Sequence, residues 1–283
     1  MAGELNPRDR DTRFALYERT VLSAAHEAHF LARAFAHAFD DDRPLFGLRE
    51  DFAGTAAVSF AFSRAHPERR ALAVDQDARA LDHGRRVHAG ALSTHVARRV
   101  SLVCGDVLAV ESGPHDAIHV GNFSIGELDD DARARYLAAC HARLGPRGIV
   151  VVDVLTGARH FGPAPFVEEG RAGDVGFSFA ADAASVVDAD GRARRRTYRL
   201  SFTEPSGARH DDAFVYDWQL VTARALVDEA RACGFARATA WRAPLGRDGE
   251  RRGALAPCTI EDALAEGDAP HGMCTLVLVK GAR

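Results

Sequence analysis

Lysine is all but missing. Lys280 is the only one, so arginine supplies nearly all of the 36 basic residues. Alanine is used heavily beside it, and such a bias forbids weight on any single arginine. Cysteine is scarce and scattered: Cys104, Cys140, Cys233, Cys258 and Cys274 stand singly, with no Cys-x-x-Cys. That disfavours a disulfide scaffold or a zinc knuckle and fits a reducing compartment. Long apolar runs are lacking as well. The strongest, 148–155, is too short to cross a bilayer and contains Asp153. The first thirteen residues carry both charge signs and no apolar stretch of signal-peptide length. A soluble, cytoplasmic chain with no membrane partner is the expectation. Charge of one sign does not dominate either, since a net charge of -4 argues against a general polyanion binder. What is present is 47% hydrophobic residue content over 283 residues, enough for a large core, and a length that suggests one α/β domain carrying an insertion.

Strand and helix signals alternate along most of the chain. From Phe14 to Phe39 the residues Phe14, Tyr17, Val21, Ala28, Leu31, Phe35 and Phe39 make one helical stripe, unbroken or in two pieces. His26, His29, Arg33 and His37 fall roughly opposite. An HxxH pair with no carboxylate or cysteine on its face reads as solvated rather than metal-binding, and no metal set is expected. Short strands are expected at 71–74, 100–104, 117–120 and 149–154, separated by helices over 77–89 and 129–144. This is the pattern of a doubly wound parallel sheet. Between 156 and 216 the runs 177–179, 184–187, 196–202 and 213–216 alternate instead, split by Asp188-Ala189-Asp190-Gly191 and Glu204-Pro205-Ser206-Gly207. They predict an antiparallel hairpin insertion. A helix over 222–233, a strand over 235–241, a Gly/Pro-rich stretch over 244–272 and a strand over 275–279 complete the chain.

Polar residues gather where the strands end, which is where such sheets bind ligands. Glu50 lies just before Gly54, a residue that lets a ligand pass close to the backbone. Asp75 follows 21 residues later, at the distance where an acid takes the hydroxyls of a ribose. Asp106 could accept from an adenine amino group, or simply start a turn. The GxGxxG of a dinucleotide site is absent, and Glu50 and Asp51 beside the turn would repel a pyrophosphate. Two acids suit a cationic ligand better.

Arg49-Glu50-Asp51-Phe52-Ala53-Gly54-Thr55-Ala56 resembles the first motif of class I S-adenosylmethionine-dependent methyltransferases, in a bacterial subgroup whose motif is close to LREDFCGT. The resemblance continues through Ala73-Val74-Asp75-Gln76-Asp77, Cys104-Gly105-Asp106-Val107, Gly121-Asn122-Phe123-Ser124 and Phe214 to Leu220. It implies a Rossmann-like seven-stranded sheet with its last strand antiparallel, and S-adenosylmethionine as methyl donor. By motif position, Glu50 would face the methionine ammonium, Asp75 would hold the ribose diol, and Asp106 with Val107 would frame the adenine. Arg49, Phe52, Gly54, Thr55 and Gln76 complete the implied cofactor set, and Asn122 would line the methyl-transfer side. The cysteine of the subgroup motif is Ala53 here, so that thiol is not required for chemistry. Ala56 replaces the usual glycine.

Four residues are candidates for the transfer itself: Asn122, Tyr17, Asp217 and Trp218. Asn122 could orient an acceptor. Tyr17 either closes over the pocket or belongs to the helical stripe. Trp218 either faces a cation through its ring or plugs the insertion onto the sheet. Asp217 is either a base or substrate anchor, or the cap of the next helix. The dense arginines from Arg192 to Arg199 read as a charged strand edge. The reading reached is a methyltransferase for a small-molecule acceptor, with residues 1–43 as a helical cap and 156–216 walling the acceptor. Phe177 and Phe179 suit that wall or a homodimer contact. A protein or RNA methyltransferase, and a binding module that transfers nothing, are the alternatives.

Overall fold

The computed structural model describes residues 7–41, 43–243, 253–265 and 272–281. Part of the expected helical cap (1–6 and 42) and most of the Gly/Pro-rich stretch (244–252 and 266–271) lie outside them.

The amino-terminal stripe forms two helices, α1 (Pro7–Thr20) and α2 (Ala24–Phe39). They part at Val21, which is exposed rather than in the stripe. The Thr20 hydroxyl turns back to the Leu16 carbonyl at 2.7 Å as the first helix ends. On α2, Phe30, Leu31 and Phe35 are buried, while His26, His29 and His37 face solvent. Among the described residues no helix is long and apolar enough to cross a membrane.

The chain then runs β1 (Gly47–Asp51), α3 (Ala57–Arg64), β2 (Arg70–Asp75), α4 (Ala78–Gly84), α5 (Thr94–Ala97), β3 (Val100–Cys104), β4 (His115–Val120), α6 (Asp130–Arg143) and β5 (Leu144–Leu155). After α7 (Ala158–Phe161) come β6 (Phe166–Ala172), β7 (Val175–Ala181), β8 (Val186–Val187), β9 (Ala193–Thr203) and β10 (Arg209–Gln219). The last stretch is α8 (Ala223–Ala232), β11 (Arg237–Arg242), β12 (Ala256–Cys258), α9 (Ile260–Ala265) and β13 (Met273–Val279).

The larger sheet has the order β12-β11-β13-β5-β4-β1-β2-β3. β1 to β5 pair in parallel, and β13 runs antiparallel to both β5 and β11. That is the seven-stranded arrangement with an antiparallel last strand, to which β12 adds an eighth at the edge. Its Ala256-Pro257-Cys258 carries no strand signal, because proline cannot donate to a ladder and is tolerated only at an edge. Helices cover both faces. Tyr136 and Leu137 of α6 and Leu226 of α8 pack on Ile118, Val150 and Leu278 on one side. Phe35 of α2 and Phe62 of α3 pack on Leu48, Val151 and Val277 on the other.

The insertion is an antiparallel sheet of order β10-β9-β7-β6, with the short β8 beside β9. It extends to Gln219, past the expected end at 216. β6 carries no strand signal, because Glu168-Glu169-Gly170-Arg171 has low strand propensity; the ladder it shares with β7 from Phe166 to Ala172 holds it. A cluster of Leu155, Phe161, Tyr198 and Trp218 joins this sheet to the end of β5. Helix α1 spans the two sheets. Arg13 reaches Asp77 at 3.5 Å and the Ala213 carbonyl at 3.3 Å, and Arg19 pairs with Asp174.

Candidate active site

The turn after β1 enters the left-handed region at three positions. Phe52, Gly54 and Ala56 have φ of 54°, 54° and 57°, and only glycine adopts this region freely. A Cβ on Gly54 would meet no protein atom within 4 Å, so the turn leaves open space above it. From below it is pressed by α4, where a Cβ on Gly84 would stand 1.9 Å from the Thr55 carbonyl oxygen. Backbone meets backbone there, and neither can swing aside. Gly84→Ala is therefore expected to displace the 52–56 turn at a cost of roughly 1–3 kcal/mol. Denaturant unfolding of that variant checks it, and unchanged stability would show that the turn yields freely.

Around this turn the strand ends form a cleft of about 410 Å³. Glu50, Phe52, Gly54, Thr55, Asp75, Gln76, Val107, Asn122 and Tyr17, all singled out in the sequence, line it. Asp75 accepts from the Gly54 amide at 2.6 Å and the Asp77 amide at 2.7 Å. Burial raises its carboxyl, and those two amides partly offset the shift. Glu50 is 5% exposed and accepts from the Ser59 amide at 2.8 Å and from the Ser59 hydroxyl. Burial still carries its carboxyl up to about 7.

Four expected site residues sit elsewhere. The Arg49 guanidinium is fully buried behind the cleft, on Asp51 at 2.8 Å and the carbonyls of Val107 (3.1 Å) and Val110 (2.8 Å). It braces the loop after β3 and does not line the cleft. Asp106 is exposed and accepts from the Leu108 amide at 2.8 Å, so its side chain caps a turn while Val107 lines the cleft. Asp217 points to the outer face of β10, where Arg195 binds it at 2.8 Å; alternation along the strand gives the cleft to Phe214 and Tyr216 instead. It does not cap the following helix either, because Thr222 does. Trp218 is 3% exposed in the cluster between the sheets, with Nε1 donating to Glu127 at 2.9 Å.

The sequence reading missed Glu18, Glu27, His119 and Tyr216. Glu18 accepts from the Thr55 hydroxyl and lies 2.8 Å from His88, fastening α1 over the turn. Burial would raise its carboxyl, but the bonds from His88 and Thr55 prevail and hold it below its usual value. His119 lies opposite Glu50 in the β1–β4 ladder, so both side chains take the same face. A lone histidine in the otherwise apolar run 117–120 was the only sequence signal for it. Glu27 of α2 comes within 3.9 Å of His119. Burial and the charges of Asp153 and Glu50 lift the Glu27 carboxyl to about 8, and burial lowers the His119 imidazole. This end of the cleft thus concentrates acid groups and favours a cation. Tyr17 and Tyr216 are hydrogen-bond partners, and burial, then the Asp153 charge, raises the Tyr17 phenol.

A second cavity, of about 210 Å³, opens beside the first and shares Tyr17, Asn122 and Tyr216 with it. Phe177 and Phe179 of the insertion line it, with Trp218.

No protein-family model matches the chain, and no curated protein matches it in sequence. Solved structures match in fold. The CcbJ methyltransferase from Streptomyces caelestis aligns with a TM-score of 0.63 at 15% identity, over 92% of this chain and 90% of its own. An S-adenosylmethionine-dependent methyltransferase from Clostridium acetobutylicum gives 0.63 at 12% identity, over 95% and 97%. CalS10 from Micromonospora echinaspora, an amino pentose methyltransferase solved with S-adenosylmethionine bound, gives 0.58 at 16% identity, over 99% of each chain. At these identities the likeness is one of fold: the Rossmann-like methyltransferase sheet with an added antiparallel sheet.

Proposed function

We propose that the protein is a methyltransferase that takes its methyl group from S-adenosylmethionine and passes it to a small molecule. One observation carries this reading: Glu50, the left-handed turn at Gly54 and Asp75 stand at neighbouring strand ends around one cleft, which shares Tyr17, Asn122 and Tyr216 with a second cavity beside it. The neighbours in fold act with the same cofactor, by their names, which agrees with it.

The residues present fit the cofactor. The open space over Gly54 is where a side chain would obstruct a ligand. Asp75 is half-buried and aimed into the cleft, placed to accept two ribose hydroxyls in charge-assisted bonds. Glu50 supplies the carboxylate for the methionine ammonium. When bound, S-adenosylmethionine supplies a methyl group on a positively charged sulfur. The protein's share is alignment and dryness. Helix α1 closes one side through Glu18, Arg13 and Tyr17. Asn122, whose backbone N–H donates to Asp153 at 2.9 Å, and the Tyr17–Tyr216 pair stand where the two cavities meet and would orient the acceptor. The raised Tyr17 phenol stays protonated, so it is a hydrogen-bond donor and not a base. Residues 1–43 and 156–216 are, in this reading, the parts that choose and enclose the acceptor. A module that only stored cofactor would need no second cavity beside the first.

Calorimetry with S-adenosylmethionine and S-adenosylhomocysteine is the direct test, with NADH as the control expected to give nothing. No heat and no thermal shift at millimolar ligand would sink the proposal.

Glu50 adds a pH signature. Its carboxyl titrates near 4.5 when free and at about 7 in the ligand-free fold. The folded protein then holds the proton more tightly, so this contribution to stability is present below about 4.5 and is lost as pH rises to about 7. A ligand ammonium favours the ionised carboxylate, so affinity for S-adenosylhomocysteine is expected to rise over the same window and level off above it. Calorimetry from pH 5 to pH 8 measures this. Glu50→Gln should flatten the dependence, and an unaltered slope in that variant would assign the titration to another group.

A further inference from the structure

Five carboxylates line the cleft: Glu50, Asp51, Asp75, Asp77 and Glu127. Among the described residues no arginine or lysine lines it or the second cavity. Four of the five acids already have a task. Asp51 is bound by Arg49 at 2.8 Å and by the Tyr136 hydroxyl at 2.7 Å. Asp77 caps α4 and has Arg13 at 3.5 Å. Glu50 and Asp75 are, in the reading above, the partners of the ammonium and the ribose. Glu168, the acid of the second cavity, is paired with Arg159 at 3.8 Å. Glu127 is left over.

Glu127 ends the short turn Ser124–Glu127 in the loop that follows β4 and carries Asn122. Its neighbour Gly126 lies flat on the Trp218 side chain, where a Cβ would come within 2.9 Å. That contact brings the carboxylate to the indole edge, and one of its oxygens accepts from Trp218 Nε1 at 2.9 Å. A carboxylate has room for about four such bonds. Among the described residues no other side chain donates to this one, and no cation pairs with it. The residue is exposed and lines the cleft, so a ligand can reach it. Partial desolvation raises its carboxyl, the indole bond lowers it, and the charges of Asp217 and Asp75 raise it further. An arriving cation would relieve that repulsion. Burial, then Tyr17 and then Glu127, raise the phenol of Tyr216, so the carboxylate lies close to a ring that both cavities share.

We propose that Glu127 receives the amino group of the methyl acceptor, beside the methyl group to be transferred. The inference rests on the methyltransferase reading and deepens it, by naming the acceptor as an amine and the side chain that holds it. An anionic acceptor would meet the charges of Glu127 and Asp75 with no arginine or lysine in the wall to offset them. A nitrogen that arrives as an ammonium must shed a proton before its lone pair can form the new bond to the methyl carbon, while the sulfur–carbon bond breaks to leave a thioether. The carboxylate that holds the ammonium is the acceptor for that proton.

Two ligands test this without the acceptor in hand. Sinefungin carries an amino group on carbon where S-adenosylmethionine carries its methyl group on sulfur. S-adenosylhomocysteine carries nothing there, and the rest of the two molecules is the same. By calorimetry on the full chain, sinefungin is expected to bind about tenfold more tightly than S-adenosylhomocysteine, as a charge-assisted bond would give. Glu127→Gln should bring sinefungin down to the level of S-adenosylhomocysteine and leave the latter unchanged, which also reports that the variant is folded. Trp218→Phe, which removes the bond that aims the carboxylate, should lower the preference several-fold. Equal binding of the two ligands to the parent protein, or a preference kept in Glu127→Gln, would overturn the inference. An equal loss of both ligands in that variant would overturn it too, by setting the carboxylate against a part of the ligand that they share. Failure of both ligands to bind the parent protein would instead overturn the methyltransferase reading beneath it.

Discussion

Replacing Asp75 with alanine is expected to weaken S-adenosylhomocysteine binding by about 10- to 150-fold, the equivalent of charge-assisted bonds worth about 1.5–3 kcal/mol. His26→Ala and His29→Ala are expected to change nothing measurable, because both rings face solvent on α2. Part of the Asp75 effect is indirect. Its carboxylate also accepts from the amides of Gly54 and Asp77, so alanine loosens the turn that shapes the cleft as well as removing the ribose partner. Asp75→Asn divides the two contributions, since the amide keeps one acceptor oxygen but loses the charge and presents donors to the hydroxyls. Titration calorimetry of the four variants beside the parent protein decides the matter. Equal affinities for Asp75→Ala and His26→Ala would mean that no ligand hydroxyl reaches Asp75.

The strand ends that line the cleft were legible because strand ends and turns are local signals. Glu50, Gly54 and Asp75 each follow a short apolar run, and a parallel sheet brings such run ends to one edge whatever the side chains between them. Side-chain direction was less legible. Arg49 and Glu50 are adjacent, so a strand must send them to opposite faces: Glu50 reaches the cleft and Arg49 the loop behind it. Asp217 fails by the same alternation, with Tyr216 taking the inner position. Asp106 was open between two readings for another reason. A carboxylate two residues before a free backbone amide can cap a turn or bind a ligand, and only geometry separates the two.

What the sequence hid were contacts between elements distant in the chain. Glu18 meets Thr55 and His88, and Glu27 meets His119, because α1 and α2 fold over the sheet edge. No periodicity reports which exposed-looking acid on a helix will be the one pressed into a cleft. Strand β6 was hidden differently. Its residues have little strand preference of their own, and pairing with β7 overrides that preference.

Trp218 shows how two readings of one residue are settled by its neighbours, and its replacement by alanine is expected to be the most destabilising of the changes considered. The indole is 3% exposed. It lies 5.0 Å from Tyr198 and 5.9 Å from Phe123, and stacks on Tyr216 at 4.8 Å. Gly126 packs so closely that a Cβ there would come within 2.9 Å of it, so the ring has no room to move as a lid. Truncation leaves a large cavity between the two sheets and an unpaired carboxylate at Glu127, and core losses of this kind cost roughly 3–5 kcal/mol. The cleft that would hold S-adenosylhomocysteine is built on β1, β2 and β4, so affinity for it should survive wherever the variant remains folded. Trp218→Phe keeps most of the packing and gives up the bond to Glu127, so it should recover the greater part of the stability. Urea unfolding of both variants, with S-adenosylhomocysteine titrations below the transition, makes the comparison. A small stability loss accompanied by a large loss of S-adenosylhomocysteine affinity would place the ring on the cofactor instead of between the sheets.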